Sequence, residues 1–586
     1  MARVTYVVVR SEEDLPMVES RLQRLAGRLK MDHLPDTPAL IVRSGRRMGA
    51  VYQNSPAVNV NGASICLGLT ENGEAWWEPG KALDGSFAIF RETEMGVEIV
   101  TDALASRTVW TAQNDRFFIA STSQRAIVAL LESFVLNRQA MAWMLSSGTL
   151  GPGHSWDERI RHLPGDSTLR FDMERWQAEV ETRPVRFTAA PIPDAEQRQR
   201  LAAAVEAVLS KLHPDPRYWV LPLSGGVDSR ALLLGMGLRE NLPCITWGTK
   251  AALQQPKSDA VVARRLTEHF GIPFRYFPME MDGTVHPDLV LRRFLQAGEG
   301  RVDHIRGYLD GFATWKTLVD EGITGIVRGD EAFGATAVPS TGYEARRSIA
   351  CMMLVDYANL PPCPPEERLQ QALPVTLQLR HRESLVTWRD RLFQQFRVPY
   401  KLAALTDLKT AYVEVLNPLL AGSIQTVVRG MPDHLRTGKK VFRELVEAQS
   451  PKVPFAAHPA VETDRNLLRS ARMVELLRGI LNHEAAFRVL PPTLHEFILS
   501  HLMIDRKKQK RNWRIMRLRR YLKRLTGPII TGLLQRGRPK VDMDPNRLAL
   551  RGAIVVKMVE ILEEDAVFFA KAPVRDAGNS QKNSIE

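Results

Sequence analysis

Residues Val220–Arg230 read VLPLSGGVDSR. An apolar run stops at Ser224, two glycines follow, and Asp228-Ser229 opens what reads as a helix. A glycine-rich turn between a strand and a helix lets backbone N–H groups approach phosphate oxygens, and the helix N-terminus adds a favourable dipole. Ser224, Gly225, Gly226 and Ser229 are the expected cradle. Asp228 cannot favourably face phosphate by itself, so its expected role is to hold a Mg²⁺ ion that bridges the phosphates. The competing reading is an ordinary Gly-Gly turn with Asp228 capping the helix. The loop is not a Walker loop, because the Gly-Lys-Ser/Thr ending is absent.

Outward from the loop, the flanking pattern sets the fold class. Helix-like AEQRQRLAAAVEAVLSKL precedes the strand RYWVLPL, and DSRALLLGMGL follows it as a helix. Strand PCITWGT, helix SDAVVARRLTEHFG, strand PFRYFPM and strand GITGIV come next. Strands alternating with helices imply a parallel sheet with helices on its faces. Beyond residue 340 the chain is mainly helical in character. Upstream, residues 1–185 carry short β-rich stretches such as TYVVVR, FAIFR, VEIVTD and STLRFD, separated by turn residues. The Pro-containing stretch PVRFTAAPIPDAEQRQR reads as a linker, with Asp194 as a cap for the helix that follows. The expected units are 1–185, 195–500, a basic helical extension over 501–571 and a disordered polar tail over 572–586.

Bulk composition narrows the class. The chain has 586 residues, 44% hydrophobic and 25% charged, near soluble globular averages. No window suggests a membrane span, and the N-terminus lacks a signal-peptide pattern. The four scattered cysteines have no metal-ligand spacing and fit a reducing compartment, so the expected location is cytoplasmic. The net charge of +13 is local: residues 506–540 hold 14 Lys or Arg and no acid, and removing them leaves −1. The remainder therefore gives no general nucleic-acid signal. The segment reads as an amphipathic helix with a solvated basic face, as a dock for an acidic partner, or as a membrane-surface or nucleic-acid contact.

The loop SGGVDS resembles the pyrophosphate loop of the N-type ATP pyrophosphatases, which split ATP between the α and β phosphates. GDEAFG (Gly329–Gly334) resembles a signature of the asparagine synthetase C-terminal domain, and by that resemblance Asp330 is a second Mg²⁺ ligand. The region LNPLLAGSIQTVVRGMPDHLRTGKKVFRE is similar to that domain's Lys-x-x-x-Arg-Glu region. Spacing to Arg443 selects Lys439 as the charge-neutralising lysine, with Lys440 as the alternative. LDGSFAIF, TDALASRTVW and WDERIRHLPGDSTLRFD follow landmarks of the glutaminase domain. The implied fold is an α+β glutaminase-like (Ntn-type) sandwich, then an α/β ATP pyrophosphatase domain with a parallel sheet and a helical C-terminal extension.

Two departures shape the expected function. Glutamine-dependent members carry a Cys after the initiator Met, whereas Ala2 has no nucleophile, so the first domain is expected to be inactive. Three residues before Asp330, where asparagine synthetases have Glu and β-lactam synthetases Tyr, this chain has Val327, which cannot move a proton. The pattern resembles the lasso peptide cyclases. That resemblance implies adenylation of an Asp or Glu side chain of a linear core peptide and closure of a macrolactam by its N-terminal amine. ATP and Mg²⁺ are the implied cofactors, and a lasso peptidase or leader-binding protein is the implied partner. Leu223, Thr246, Trp247 and Gly329 are expected around the nucleotide, with Glu331 or His304 as base and Tyr308 and Asp310 as pocket residues. The alternatives are a small-molecule amide ligase, a tRNA-modifying ATP pyrophosphatase and a non-catalytic scaffold.

Overall fold

The computed structural model describes residues 3–52, 58–70, 75–281, 285–354, 364–505 and 543–570. Ala2, the basic segment 506–540 and the tail 572–586 lie outside the described residues. Strand Arg3–Val9 is buried along its whole length because both faces are covered. Val4, Tyr6 and Val8 point to one side and Val7 and Val9 to the other, as a period of two requires. Its antiparallel sheet runs Arg161–His162, Trp110–Gln113, Phe117–Ser121, Arg3–Val9, Arg47–Tyr52, Leu40–Ser44. A second antiparallel sheet runs Gln177–Thr182, Ser167–Asp172, Gly96–Thr101, Gly85–Glu92, Ser64–Thr70, Val58–Asn61. Their inner faces meet through Val4, Tyr6 and Phe118 on one side and Leu67, Phe90 and Phe171 on the other. Phe118 and Phe171 stack at 4.2 Å. The outer face of the first sheet packs on helices Leu15–Leu29 and Gln124–Leu131. The first helix places Leu15, Val18, Leu22, Leu25 and Leu29 on one stripe.

A third sheet of five strands is parallel throughout. Trp219–Pro222 is central, Cys244–Gly248 and Phe274–Pro278 lie on one side, and Gly325–Val327 and Glu414–Leu416 on the other. The chain therefore leaves the central strand towards one edge and later returns to the opposite side. Where the order reverses, the loops at the carboxyl ends of neighbouring strands part and leave a crevice, the usual ligand position in such sheets. The fifth strand is three residues long and escapes detection from sequence, because so short a run has no periodicity of its own.

The expected boundaries do not separate cores. One apolar cluster joins Val7, Leu22 and Trp156 to Val220, Phe294, Trp315, Leu477 and Ile554. Within the expected basic helical extension, helix Pro545–Ala566 is enclosed, with Leu548, Ile554, Val555, Met558 and Leu562 fully buried. It packs against helices from both halves, including Gln124–Leu131 and Ala471–Leu481. The segment read as a linker is pinned as well: Thr188 N–H donates to the Arg429 carbonyl (3.0 Å) and Ala190 N–H to that of Gly430 (2.8 Å). No helix of the described residues is long and apolar enough to cross a membrane.

His162 closes the end of the first sheet between Trp110 (5.2 Å) and Tyr400 (4.8 Å), and neither ring nitrogen has a hydrogen-bond partner among the described residues. Burial, helped by the charge of Arg301, pushes its pKa from 6.5 down to about 3. Between those values the unfolded chain takes up a proton that the folded chain refuses, so this contribution is complete above pH 6.5 and is lost as pH falls towards 3. His162→Gln should remove about one proton from the uptake on acid unfolding. Potentiometric measurement of proton uptake on unfolding at about pH 4.5, between the two values, checks this; unchanged uptake would exclude it.

Candidate functional site

Strand Trp219–Pro222 and helix Val227–Leu232 are joined by Leu223–Gly226. The two serines close the turn on itself. Ser224 N–H donates to Ser229 Oγ (3.0 Å), the two hydroxyls lie 2.9 Å apart, and Gly226 N–H donates to Ser224 Oγ (3.2 Å). Gly225 is needed for close approach: a Cβ there would lie 2.3 Å from Ala456 Cβ. Its N–H donates to Asp259 Oδ1 (3.0 Å), at the start of helix Asp259–Phe270. Asp259 does not stand out in the sequence; its signal is its place after Ser258 at a helix start, following the neighbouring strand.

The second loop follows strand Gly325–Val327. A Cβ on Gly329 would stand 2.8 Å from the Asp228 carbonyl carbon, so only glycine lets the two loops cross backbone to backbone. That crossing puts Asp228 and Asp330 on one wall of a cavity of about 320 Å³ at the switch point. Leu223, Ser224, Asp228, Ser229, Thr246, Trp247, Gly329 and Asp330 all line it. Arg328 and Asp259 line it too. Gly225 and Gly226 shape the turn from behind, and Trp247 is braced edge-on by Trp315 at 5.4 Å.

Lys439 reaches Asp228 from a distant part of the chain. It has left-handed backbone (φ 56°) directly after Gly438 (φ 70°), at the start of helix Lys440–Gln449. Holding a non-glycine residue there costs on the order of 1–3 kcal/mol. The conformation aims Lys439 Nζ at both carboxylate oxygens of Asp228 (2.9 Å each) and at Glu331 Oε1 (2.7 Å). Lys440 begins the helix and is exposed. The alternative that the spacing left open is thus corrected: only Lys439 joins the cluster. Lys440→Ala should change stability by no more than about 0.5 kcal/mol. A urea-midpoint comparison checks it, and a larger loss would show that Lys440 has a structural partner.

The cluster is electrostatically tense. Burial pushes Glu331 up to about 7, with Lys439 opposing and Asp228 adding to the rise. Glu331 Oε2 also accepts from Phe333 N–H (2.6 Å), so both its oxygens are engaged. Burial likewise raises Asp228 above the ordinary carboxylate range, although 31% of its side chain faces the cavity, where water moderates the effect. Burial alone would lower Lys439, but Glu331 and Asp228 hold it above its usual value, so it is a cation at neutral pH.

Asp330 accepts from Arg328 Nη2 at 3.1 Å through Oδ1, while Oδ2 is buried without a hydrogen-bond partner among the described residues. An unsatisfied buried carboxylate oxygen is costly. A hard divalent cation shared with Asp228 has the chemistry to satisfy it. No group of three or more His, Cys, Asp or Glu suited to a metal occurs among the described residues. Two carboxylates match Mg²⁺, which commonly completes its sphere with phosphate and water.

Three expected residues fall elsewhere. His304 faces a separate cavity. Tyr308 is buried and accepts a hydrogen bond from Lys409 Nζ at 2.9 Å. Asp310 accepts the N–H groups of Phe312 (3.0 Å) and Thr314 (2.8 Å) at the start of helix Ala313–Asp320, a structural role. No family model matches the chain, and no curated protein matches it.

Proposed function

We propose that the chain is an ATP-dependent, AMP-forming carbon–nitrogen ligase that closes a macrolactam in a ribosomal peptide. The observation that carries this reading is the convergence of Asp228, Lys439, Glu331 and Asp330 beside the serine–glycine turn at the switch point. In this reading the Ser224–Ser229 turn holds the phosphates, and Leu223, Thr246 and Trp247 face the adenosine. Asp228 and Asp330 would hold a Mg²⁺ ion, which would supply charge neutralisation for pyrophosphate. Lys439 neutralises charge at the α-phosphate when the substrate carboxylate attacks, and again when the amine adds. Glu331 orients Lys439 and keeps it charged.

Val327 supports a peptide amine over the small-molecule ligases, because it is fully buried at its strand end and offers no proton-handling group. The two antiparallel sheets, flanked by helices, fit a glutaminase-type sandwich serving as scaffold. Its shared core with the parallel-sheet half suits it to form one wall for a preorganised peptide, where proximity supplies much of the rate. The partners in this reading are a linear core peptide and a lasso peptidase or leader-binding protein in the cytoplasm.

ATP–pyrophosphate exchange with a candidate core peptide tests the reading. Exchange should require the peptide and Mg²⁺, and the product should be one water lighter. Exchange driven by aspartate alone would replace it with a small-molecule ligase.

A further inference from the structure

Among the described residues, the cavity at the switch point is lined by three carboxylates, Asp228, Asp259 and Asp330, and by one cation, Arg328. Asp228 is engaged by Lys439, and Asp259 accepts the Gly225 N–H. Arg328 gives Asp330 a single contact, from Nη2. Its Nη1 is buried and has no hydrogen-bond partner among the described residues. A charged donor left in that state costs stability, so its retention calls for an acceptor from outside the chain. The side chain is 20% exposed, which leaves the guanidinium within reach of the cavity.

The backbone fixes which way Arg328 points. Its N–H donates to the Leu416 carbonyl at 2.8 Å, so the parallel pairing runs one residue past strand Gly325–Val327. Ile326 packs with Tyr308 and Trp315, whereas Val327 packs on the other side with Phe333. Alternation then returns the Arg328 side chain to the side of Tyr308 and Trp315. Trp315 Nε1 is a second buried donor there without a hydrogen-bond partner among the described residues. Lys409 lies over the Tyr308 and Trp315 rings at 5.6 and 5.9 Å. Burial and the nearby charge of Arg328 push Lys409 well below its usual value, which marks this side as already rich in positive charge. Along the sheet, the ends of three neighbouring strands present Trp247, the serine–glycine turn and Arg328 in that order.

We propose that Arg328 receives the carboxylate of the substrate, which places the acid to be activated at the end of strand Gly325–Val327, beyond the serine–glycine turn. The role of that acid as acceptor rests on the ligase reading; the pairing of Arg328 with a carboxylate does not. A guanidinium fork matches the two oxygens of a carboxylate, and a carboxylate there supplies the acceptor that Nη1 lacks. Phosphates have the turn's N–H groups and Lys439, while the acid has Arg328 as the cation on the cavity wall. The competing account makes Arg328 only a brace for Asp330.

The test uses the full chain and two probes at matched ionic strength, followed by ligand-observed NMR titration. One is N-acetylglutamate methylamide, whose side-chain carboxylate is its only charge; the other is N-acetylglutamine methylamide, its neutral isostere. Wild type should bind the acid saturably and at least about tenfold more tightly than the amide, the preference that a hydrogen bond to a charged group supplies. Arg328→Gln should bind the two alike. Arg328→Lys should keep a reduced preference, because a point charge replaces the fork. Equal binding of the two probes by wild type would overturn the proposal. So would an Arg328→Gln protein that melts lower yet keeps the wild-type preference, the result a mere brace predicts. Should Arg328→Gln fail to fold, Arg328→Lys decides, and an undiminished preference there overturns the proposal. Pyrophosphate exchange with the core peptide separates the two readings. Exchange in a wild type without the acid preference sinks this inference alone; the preference without exchange keeps Arg328 as a carboxylate ligand and sinks the ligase reading.

Discussion

Lys439→Met is expected to lower ATP–pyrophosphate exchange by about 10²–10³-fold, the typical loss on removing one preorganised donor from a charge that develops in the transition state. The side chain is held by three short contacts to Asp228 and Glu331, and its backbone is committed to the left-handed region to make them. Methionine keeps the length and removes the charge. Asp228 and Glu331, already raised by burial, would then lose the cation that opposes the rise. The loss should fall mainly on kcat, because the charge matters most at the α-phosphate during reaction. A structural role alone would appear as lost stability with exchange intact. Exchange within a few-fold of wild type, in a variant that melts normally, would remove Lys439 from the proposed chemistry.

Asp565→Ala should destabilise the whole molecule by about 3–5 kcal/mol, the range for breaking a buried ion pair from one side. Asp565 is fully buried near the end of helix Pro545–Ala566. Its Oδ2 receives Arg125 Nε at 2.7 Å and its Oδ1 receives Arg28 Nε at 2.6 Å. Those arginines belong to the two helices beneath the first sheet, so one carboxylate ties the last described helix to the N-terminal sandwich. Its removal leaves Arg125 buried and unmatched. Chemical denaturation, followed by fluorescence from both halves, reads the shift. A loss below about 1 kcal/mol would show that this carboxylate is not what fastens the last described helix to the sandwich.

Much of the architecture was legible locally. The strands around TYVVVR, FAIFR, VEIVTD and STLRFD, and the alternation from residue 195 onward, follow from periodicity, and a parallel sheet is what such alternation builds. The turn at Ser224–Ser229 was equally readable, since glycine pairs and serines at a strand end have few other uses. The burial of helix Pro545–Ala566 had a signal that the basic run upstream obscured: LALRGAIVVKMVEIL is apolar nearly all round, the mark of a helix enclosed on every side.

Local pattern by itself therefore determined the class of sheet and the position of the loop that carries Asp228, while Asp330 was singled out by a resemblance. The tertiary structure decided what those acids face. Spacing to Arg443 favours Lys439 over its neighbour Lys440, but only the left-handed turn at Gly438-Lys439 aims Lys439 at Asp228 and Glu331. His304 and Asp310 look like site residues in sequence, but one faces a second cavity and the other caps a helix. Glu331 shares Lys439 with Asp228 only because Gly329 lets two loops cross. The physical reason is range. Backbone preference and hydrophobic periodicity act over a few residues, whereas the burial and charge that set the state of Asp228, Glu331 and Lys439 come from groups many residues away.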